Sequence, residues 1–557
     1  MLFTSLRGYQ ASWLRGDCIA GLTVWAVLVP EALAYATIAG VSPVVGLYAA
    51  PGALILYAAF GSSRHLIAGP MAATAALSAA AVGDLAAGNS GRFTALTMTL
   101  AITMGILALA AGVARLGFLA SFISEPVLKG FIIGLALTII IGQVPKLLGV
   151  DKGSGNFFQQ FWDVVTRLGQ AQWRTVLVGL LSLAIVLVLR RVAPAVPAPL
   201  VAVAIGVLAV YTLHLQDHGV KIVGHIDSGL PAFGLPSVPA GDYLKLAGPA
   251  VGIMLVGFAE GLGAAKTYAA KNGYQISPNR ELAGLGAANL AAGLSSGMVV
   301  NGSLSKTAVN GSAGARTQLS GLVVAALTIL TLLFLTGLFQ DLPEATLGAV
   351  VIAALVELVD IASLRSLYGT HTARLRRIYG YAARADFIAA VAALLGVLIF
   401  DTLPGLFIGI TVSLLLLLYR SSQPHVAVLG QVPGTSQWTD TAQHPEDKPI
   451  PGIPVLRVES GLYFANADHV RATILTAAAA AGTRAVVLDC ETVPFVDVTA
   501  GRMLDELTAE LRGRGVRLVI ARDVGQVRDV LATASEAIVP EQYPSVREAV
   551  ARVSARE

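Results

Sequence analysis

The chain has 557 residues, of which 55% are hydrophobic and only 13% charged, with a formal net charge of +4 and a mean hydropathy of +0.72. A soluble domain carries roughly twice this charge fraction, so most of the chain is solvated by lipid. No Lys/Arg run is dense enough, or suitably interleaved with aromatics, for nucleic-acid binding. The two cysteines, Cys18 and Cys490, fall in different domains, which argues against a disulfide framework or a cysteine metal site.

Arg7 and Arg15 precede the first apolar run, 19–39, in a weak imitation of a signal peptide. No small-residue cleavage site follows and the run is long enough to span, so it reads as a retained first helix. Asp17 reads as a cap or first-turn acid near the positive helix end, without chemistry. Glu31 interrupts this run. Further apolar runs follow at 44–60, 71–82, 93–113, 127–144, 176–189 and 200–213. After a Pro/Gly-rich loop they resume at 246–265, where Glu260 is the second intramembrane acid. They continue at 282–294, 304–309, 319–338, 347–359, 386–400 and 406–419, about fourteen in all. The runs 71–82, 282–294 and 304–309 are short for a hydrocarbon core of about 30 Å.

An even number of spans puts both termini on one side, and Arg7 and Arg15 make that side cytoplasmic. The same side then receives Arg64, Arg115, Arg190, Arg191, Lys266, Lys271, Arg280, Arg316, the Arg-rich loop 365–384 and Arg420, as the positive-inside rule requires. Arg64 and His65 read as loop residues of that bias rather than ligands. Glu357 and Asp360 are expected to pair with the Arg-rich loop.

Two glycine-containing breaks, 61–71 and 297–307, occupy corresponding places in the two halves, each preceding a short helix. Extended backbone at membrane depth is tolerated only where it is buried in protein or lines a cavity. Paired breaks of this kind point to a midplane binding site between inverted repeats. After Arg420 the composition changes. A polar linker, 422–452, leads to strand material at 455–458, 462–464, 485–489 and 517–521, with helical periodicity at 469–480 and 500–512. The expected domains are therefore a membrane domain over 1–421, a linker over 422–452 and a small α/β domain over 453–557.

The chain resembles the sulfate permease (SulP) family of anion transporters. The resemblance rests on Pro30-Glu31-Ala32-Leu33-Ala34-Tyr35-Ala36, Val45-Gly46-Leu47-Tyr48, Gly61-Ser62-Ser63-Arg64, Ser303-Leu304-Ser305-Lys306-Thr307-Ala308-Val309-Asn310 and Gly314-Ala315-Arg316-Thr317-Gln318. The last domain resembles a STAS domain through Leu488-Asp489 and Phe495-Val496-Asp497-Val498-Thr499-Ala500. The resemblance implies an all-α polytopic domain built as a seven-plus-seven inverted repeat, with a core of spans 1–4 and 8–11 and a gate of spans 5–7 and 12–14. It also implies a homodimer. The chain departs from the family pattern at Glu31, often glutamine, and at Lys306, often arginine. Val498 stands where sigma-factor antagonists carry a phosphorylated serine, so phosphoryl signalling through that position is not expected.

Two roles are open for Glu260: bracing packed helices, or coupling to substrate or ion. A carboxylate at this depth suits proton uptake and release. Na⁺-coupled bicarbonate carriers, which the chain also resembles here, have a small or hydroxyl residue one turn after the acid. Ala264 offers no oxygen ligand for a hard cation, which favours proton coupling. Glu31 either joins in coupling or satisfies amides freed by a helix break at Pro30. Lys306, at the start of a short helix, would add its charge to the helix dipole and backbone N–H donors as an anion cradle, the other reading being a snorkelling lysine. Gly69, Pro70, Met71, Ala72, Gly302, Ser303, Leu304 and Ser305 would complete it. No nucleophile, base pair or metal spacing suggests an enzyme, and no cofactor is expected. The expected function is proton-coupled secondary transport of a small inorganic anion, most of all sulfate, in the inner membrane. Bicarbonate uptake, dicarboxylate/proton symport and a membrane-anchored STAS sensor are the alternatives.

Overall fold

The computed structural model describes residues 2–555 except 119–123, 154, 194–195, 227, 357, 370–383, 401, 524 and 535–540. The chain divides into two compact units, residues 1–369 with 386–413, and residues 370–385 with 414–557.

In the first unit every expected apolar run lies on a helix. The first half contains α1 (Leu14–Ile38), α2 (Pro43–Phe60), α3 (Ala72–Ala86), α4 (Ser90–Val113), α5 (Glu125–Leu148), α6 (Phe157–Arg167), α7 (Trp173–Val192) and α8 (Ala198–Leu213). The second contains α9 (Ala240–Lys271), α10 (Pro278–Leu294), α11 (Leu304–Ser312), α12 (Leu319–Leu330), α13 (Glu344–Val356), α14 (Ile361–Gly369) and α15 (Ala385–Phe400), with α16 (Thr402–Ser422) running on from it. Among the described residues, nine helices are long and apolar enough to cross a membrane. In lipid this is the required solution, since each helix satisfies its own backbone groups.

Helix α6 was not anticipated. It has 11 residues, too few and too polar to register as a span. Asn156 and Gln159 form a reciprocal capping box at its start, and Phe158, Phe161 and Trp162 are exposed along it.

Packing in this unit relies on small residues, because lipid tails give apolar side chains no reason to prefer protein over solvent. Helices α4 and α10 meet most closely through glycines. A Cβ on Gly105 would lie 2.7 Å from the backbone nitrogen of Leu290, and one on Gly286 would lie 2.7 Å from that of Leu109.

Two buried carboxylates tie the halves to each other. Asp17 of α1 accepts from the amides of Arg316 and Thr317 at 2.7 and 3.1 Å, and from the Thr317 hydroxyl at 2.8 Å. Glu281 of α10 accepts from the amides of Ser62 and Ser63, both at 2.8 Å, and from the hydroxyls of Ser62 and Tyr57, both at 2.6 Å. Asp17 is thus a bracket for the distal half of the chain, more than the local cap expected of it. Asp360 accepts from the amide of Ser363 at 2.9 Å and from the Ser363 hydroxyl, and so caps α14. Glu357 and the arginines Arg374, Arg376 and Arg377 lie outside the described residues.

The second unit holds a six-stranded sheet. In chain order its strands are β3 (Val426–Gln431), β4 (Trp438–Asp440), β5 (Val455–Val458), β6 (Ala485–Asp489), β7 (Arg517–Ala521) and β8 (Glu541–Tyr543), and their spatial order is β4-β3-β5-β6-β7-β8. β5 to β8 run parallel, with β3 antiparallel to β5. The stretch expected to be a polar linker, 422–452, therefore carries two strands of the sheet. Its polarity comes from the turns around β4, while Ala427 and Leu429 point into the core. The strand expected at 462–464 is a single bridge between Leu462 and Val496. The chain turns there because Asn466 accepts from the Tyr463 amide at 3.0 Å. Helices Ala467–Ala478 and Val498–Gly513 pack on one face of the sheet around Val470, Ile474, Leu504 and Leu507. At the end of β6, buried Asp489 accepts from Arg457 at 2.7 Å and from Arg522 at 3.0 and 2.5 Å.

Candidate functional site

The two glycine-containing breaks meet. Strands β1 (Ile67–Gly69) and β2 (Asn301–Ser303) pair antiparallel, with Ile67 opposite Ser303, Ala68 opposite Gly302 and Gly69 opposite Asn301. Helices α3 and α11 start from this miniature sheet, so two helix N-termini are brought to one place inside the membrane. Each break supplies backbone partners to the other along the inner edge of this ladder, as polar backbone buried in the unit requires. The close approach needs glycine at 302: a Cβ there would lie 2.8 Å from Leu66 Cδ2 and 3.1 Å from Gly261 Cα of α9.

The cross-connections continue beyond the strands. The Ile67 amide donates to Thr307 at 3.1 Å, and Asn310 Nδ2 donates to the His65 carbonyl at 2.9 Å. Gln318 Nε2 donates to the carbonyls of Ser63 and Leu66 at 3.0 and 2.8 Å. His65, read from sequence as a loop residue, is buried. Its Nε2 lies 3.1 Å from the Ala315 carbonyl, which can only accept, and its Nδ1 lies 3.0 Å from the Tyr274 hydroxyl. Arg64 is exposed and stacks over the Tyr274 ring at 5.3 Å.

Lys306 is 1% exposed and Glu31 3%. The Lys306 ammonium forms an ion pair with Glu31 at 2.8 Å, donates to the Pro70 carbonyl at 3.1 Å, and lies 5.1 Å from the centre of the Tyr35 ring. Helix α1 continues without a break through Pro30. Glu31 thus serves a cation from the other half of the chain; it does not serve amides freed by a break. Lys306 does not snorkel either, because its charge ends among α1, the Pro70 turn and α11.

The other expected residues converge here. Met71 is the extended residue before α3, which begins at Ala72 with no side-chain cap and so leaves its first N–H groups available to another partner. Ser303 caps α11 by accepting from the Lys306 amide at 3.3 Å, and its hydroxyl lies 3.1 Å from that of Ser305. Leu304 opens α11 and is half exposed.

Glu260 sits on α9, which packs on β2, and its Oε2 is buried without a hydrogen-bond partner. Asn301 is also buried, and both polar atoms of its side chain lack a partner. A Cβ on Gly257 would lie 3.0–3.2 Å from that amide and one on Gly261 3.4 Å from its oxygen, so α9 carries glycines where it crosses Asn301. Sequence reasoning passed over Asn301, although its position just before Gly302 in the second break was the available signal.

Two uncapped or self-capped half-helices, a buried cation paired with a carboxylate, and unpartnered buried polar groups thus meet within a polytopic helical unit of the kind found in membrane carriers. The family model for the "Sulfate permease family" matches residues 14–375, and that for the "STAS domain" matches residues 444–549. The chain belongs to the sulfate permease family. It is similar to a Mycobacterium tuberculosis protein named "Probable sulfate transporter", with 40% identity over 531 residues, covering 95% of this chain and 93% of that protein. It is 32% identical over 545 residues to "High affinity sulfate transporter 1" of Stylosanthes hamata, covering 92% and 79%. Among solved structures, the murine Slc26a9 anion transporter in its inward-facing state matches with a TM-score of 0.89 at 21% identity, over 99% of this chain and 93% of that one. The transmembrane domain of the cyanobacterial bicarbonate transporter BicA matches with a TM-score of 0.62 at 23% identity, over 72% and 98%. At such identities the two structures speak for the fold alone.

Proposed function

We propose that this protein carries sulfate across the membrane by proton-coupled alternating access, with the anion seated between the N-termini of α3 and α11. The observation that carries the reading is the buried Lys306–Glu31 pair at 2.8 Å where the two half-helices meet. Backbone N–H groups and the positive helix ends favour an anion there, while Glu31 neutralises the one side-chain cation in the cradle. Proton uptake by Glu31 dissolves the ion pair and turns Lys306 toward the anion. Glu260, with its unpartnered oxygen, holds a second proton.

The charge balance supports this coupling. With both glutamates ionised, Lys306, Glu31 and Glu260 sum to one negative charge. Adding a sulfate dianion would leave three, which a buried site does not tolerate. Two protons restore the starting value. The names of the relatives favour sulfate, and Ala264 removes an oxygen ligand for Na⁺. We further infer a homodimer in the inner membrane with both termini cytoplasmic.

The test is uptake of labelled sulfate into proteoliposomes with and without an inward proton gradient or Na⁺, in competition with bicarbonate and fumarate. Gradient-driven accumulation displaced by neither competitor is expected. Na⁺-dependent bicarbonate uptake that ignores the pH gradient would overturn the reading.

A further inference from the structure

A second polar cavity, of about 220 Å³, lies between α1, α3, α5 and α6, with the start of α16. Thr37 of α1 and Ala76, Ala79 and Ala80 of α3 form one wall, and Gln143 and Lys146 of α5 form another. Because α1 starts at Leu14 and the cavity adjoins its last turn, the cavity opens toward the membrane face opposite the N-terminal end of α1. Helix α3 connects it to the candidate site: the helix begins at Ala72, beside Pro70, and Ala76 to Ala80 lie one to two turns farther along. At about 1.5 Å of rise per residue, that is roughly 6–12 Å.

The lining brings two ammonium groups together. Lys146 Nζ donates to Thr37 Oγ1 at 3.0 Å. A Cβ on Gly142, one helical turn before Lys146, would lie 3.5 Å from Lys152 Nζ and 3.4 Å from Gln160 Oε1. Both ammonium groups therefore serve the same face of α5. Among the described residues no carboxylate lines the cavity; Glu344 acts on Lys146 electrostatically from outside it. Gln143 is 5% exposed, and its Oε1 has no hydrogen-bond partner. A buried amide left unsatisfied is costly, and a half-turn of its terminal torsion presents two N–H donors to an anion instead. A water's share of liquid volume is about 30 Å³, so the space holds an anion of a few heavy atoms with part of its hydration.

Resting on the transport reading above, we propose that this cavity is an outer anion-binding site, where Lys146, Lys152 and Gln143 collect a small inorganic oxyanion before it moves along α3 to the central site. The Lys146–Thr37 contact joins α1 to α5, so an anion that engages Lys146 competes with the contact holding these two helices together on this face. Charged clefts of this kind raise the local substrate concentration and the capture rate, with a steep dependence on ionic strength.

The experiment is sulfate transport by oriented proteoliposomes carrying wild type, Lys146→Gln, Lys146→Arg, Lys152→Gln and Gly142→Leu, measured from each face at low and high ionic strength. KM from the cavity face is expected to rise about tenfold in Lys146→Gln, with KM from the other face moving less than twofold. Lys146→Arg should restore most of the difference, Gly142→Leu should mimic the loss by filling the floor, and added salt should narrow the gap between wild type and variant. Unchanged KM values in Lys146→Gln and Lys152→Gln, or an equal rise from both faces, overturn the proposal while the transport reading stands. If wild type moves no sulfate, that reading falls, and crystals soaked in selenate decide the site directly. Anomalous density between Lys146 and Lys152, lost in Lys146→Gln, supports it, and its absence in wild type rejects it.

Discussion

At the proposed site Lys306 and Glu31 form a buried ion pair, and neither charge is affordable alone at this depth. Removing one partner of a buried pair costs about 3–5 kcal/mol, since it strands the other. Glu31→Gln therefore lowers thermal stability by leaving Lys306 unpaired, and sulfate should recover much of the loss by pairing with it. The melting-temperature rise on adding sulfate is expected to be larger in Glu31→Gln than in wild type, and close to zero in Lys306→Ala. A sulfate-induced shift that survives in Lys306→Ala would remove Lys306 from the anion site. Glu260→Gln keeps size and imitates a permanently protonated acid. It is expected to bind sulfate and exchange anion for anion, but to accumulate much less sulfate for a given proton gradient, because Glu31 alone remains to take up a proton. If the Glu260→Gln protein accumulates sulfate as steeply with the gradient as wild type, Glu260 takes no part in coupling and Glu31 is left as the coupling acid.

At the scale of elements, the site is a product of two breaks that repair one another. The breaks were legible in sequence because glycine and proline interrupt apolar runs at corresponding places, which is a local signal. Partner choice was not legible: Glu31 with Lys306, Asp17 with Thr317 and Glu281 with Ser62 join residues from different halves of the chain. Hydropathy also hid α6, whose apolar stripe is diluted by Gln159, Gln160 and Asp163, and it mistook the turns around β4 for a linker. The predicted consequence of the β1–β2 pairing is steric. Gly302→Val places methyl groups against Leu66 and Gly261, where even a Cβ comes within 2.8 and 3.1 Å. Overpacking typically costs about 1–3 kcal/mol, and folded yield in detergent should fall accordingly. Glu281→Ala leaves four donors without their acceptor. With hydrogen bonds to a charged group worth about 1.5–3 kcal/mol each, it is expected to lower the melting temperature more than Gly302→Val. The reverse order would mean that the steric approach, rather than the carboxylate bracket, dominates the joint between halves.

At the scale of the whole molecule, the two units differ in what they bury. The membrane unit encloses the Lys306–Glu31 pair and the unpartnered Glu260 and Asn301 groups, whereas the sheet unit is built around an apolar core with the buried Asp489 held by Arg457 and Arg522. Cys490 illustrates the difference: burial pushes its thiol up, with the Asp489 and Asp523 carboxylates adding to the effect. It is expected to resist alkylation at neutral pH until the domain unfolds, since the thiolate is the reactive form. None of the half-helix groups that would hold the anion comes from beyond α16. Selectivity should therefore reside in the first unit. Because β3 begins at Val426 and pairs with β5, a cut within 426–452 would split the sheet and expose strand edges, inviting aggregation. A cut directly after Ser422 removes the sheet whole. That truncation is expected to reduce yield or turnover while leaving the ratio of sulfate to bicarbonate and fumarate transport unchanged. A changed preference among those three anions in the truncated protein would show that the sheet unit takes part in choosing the substrate.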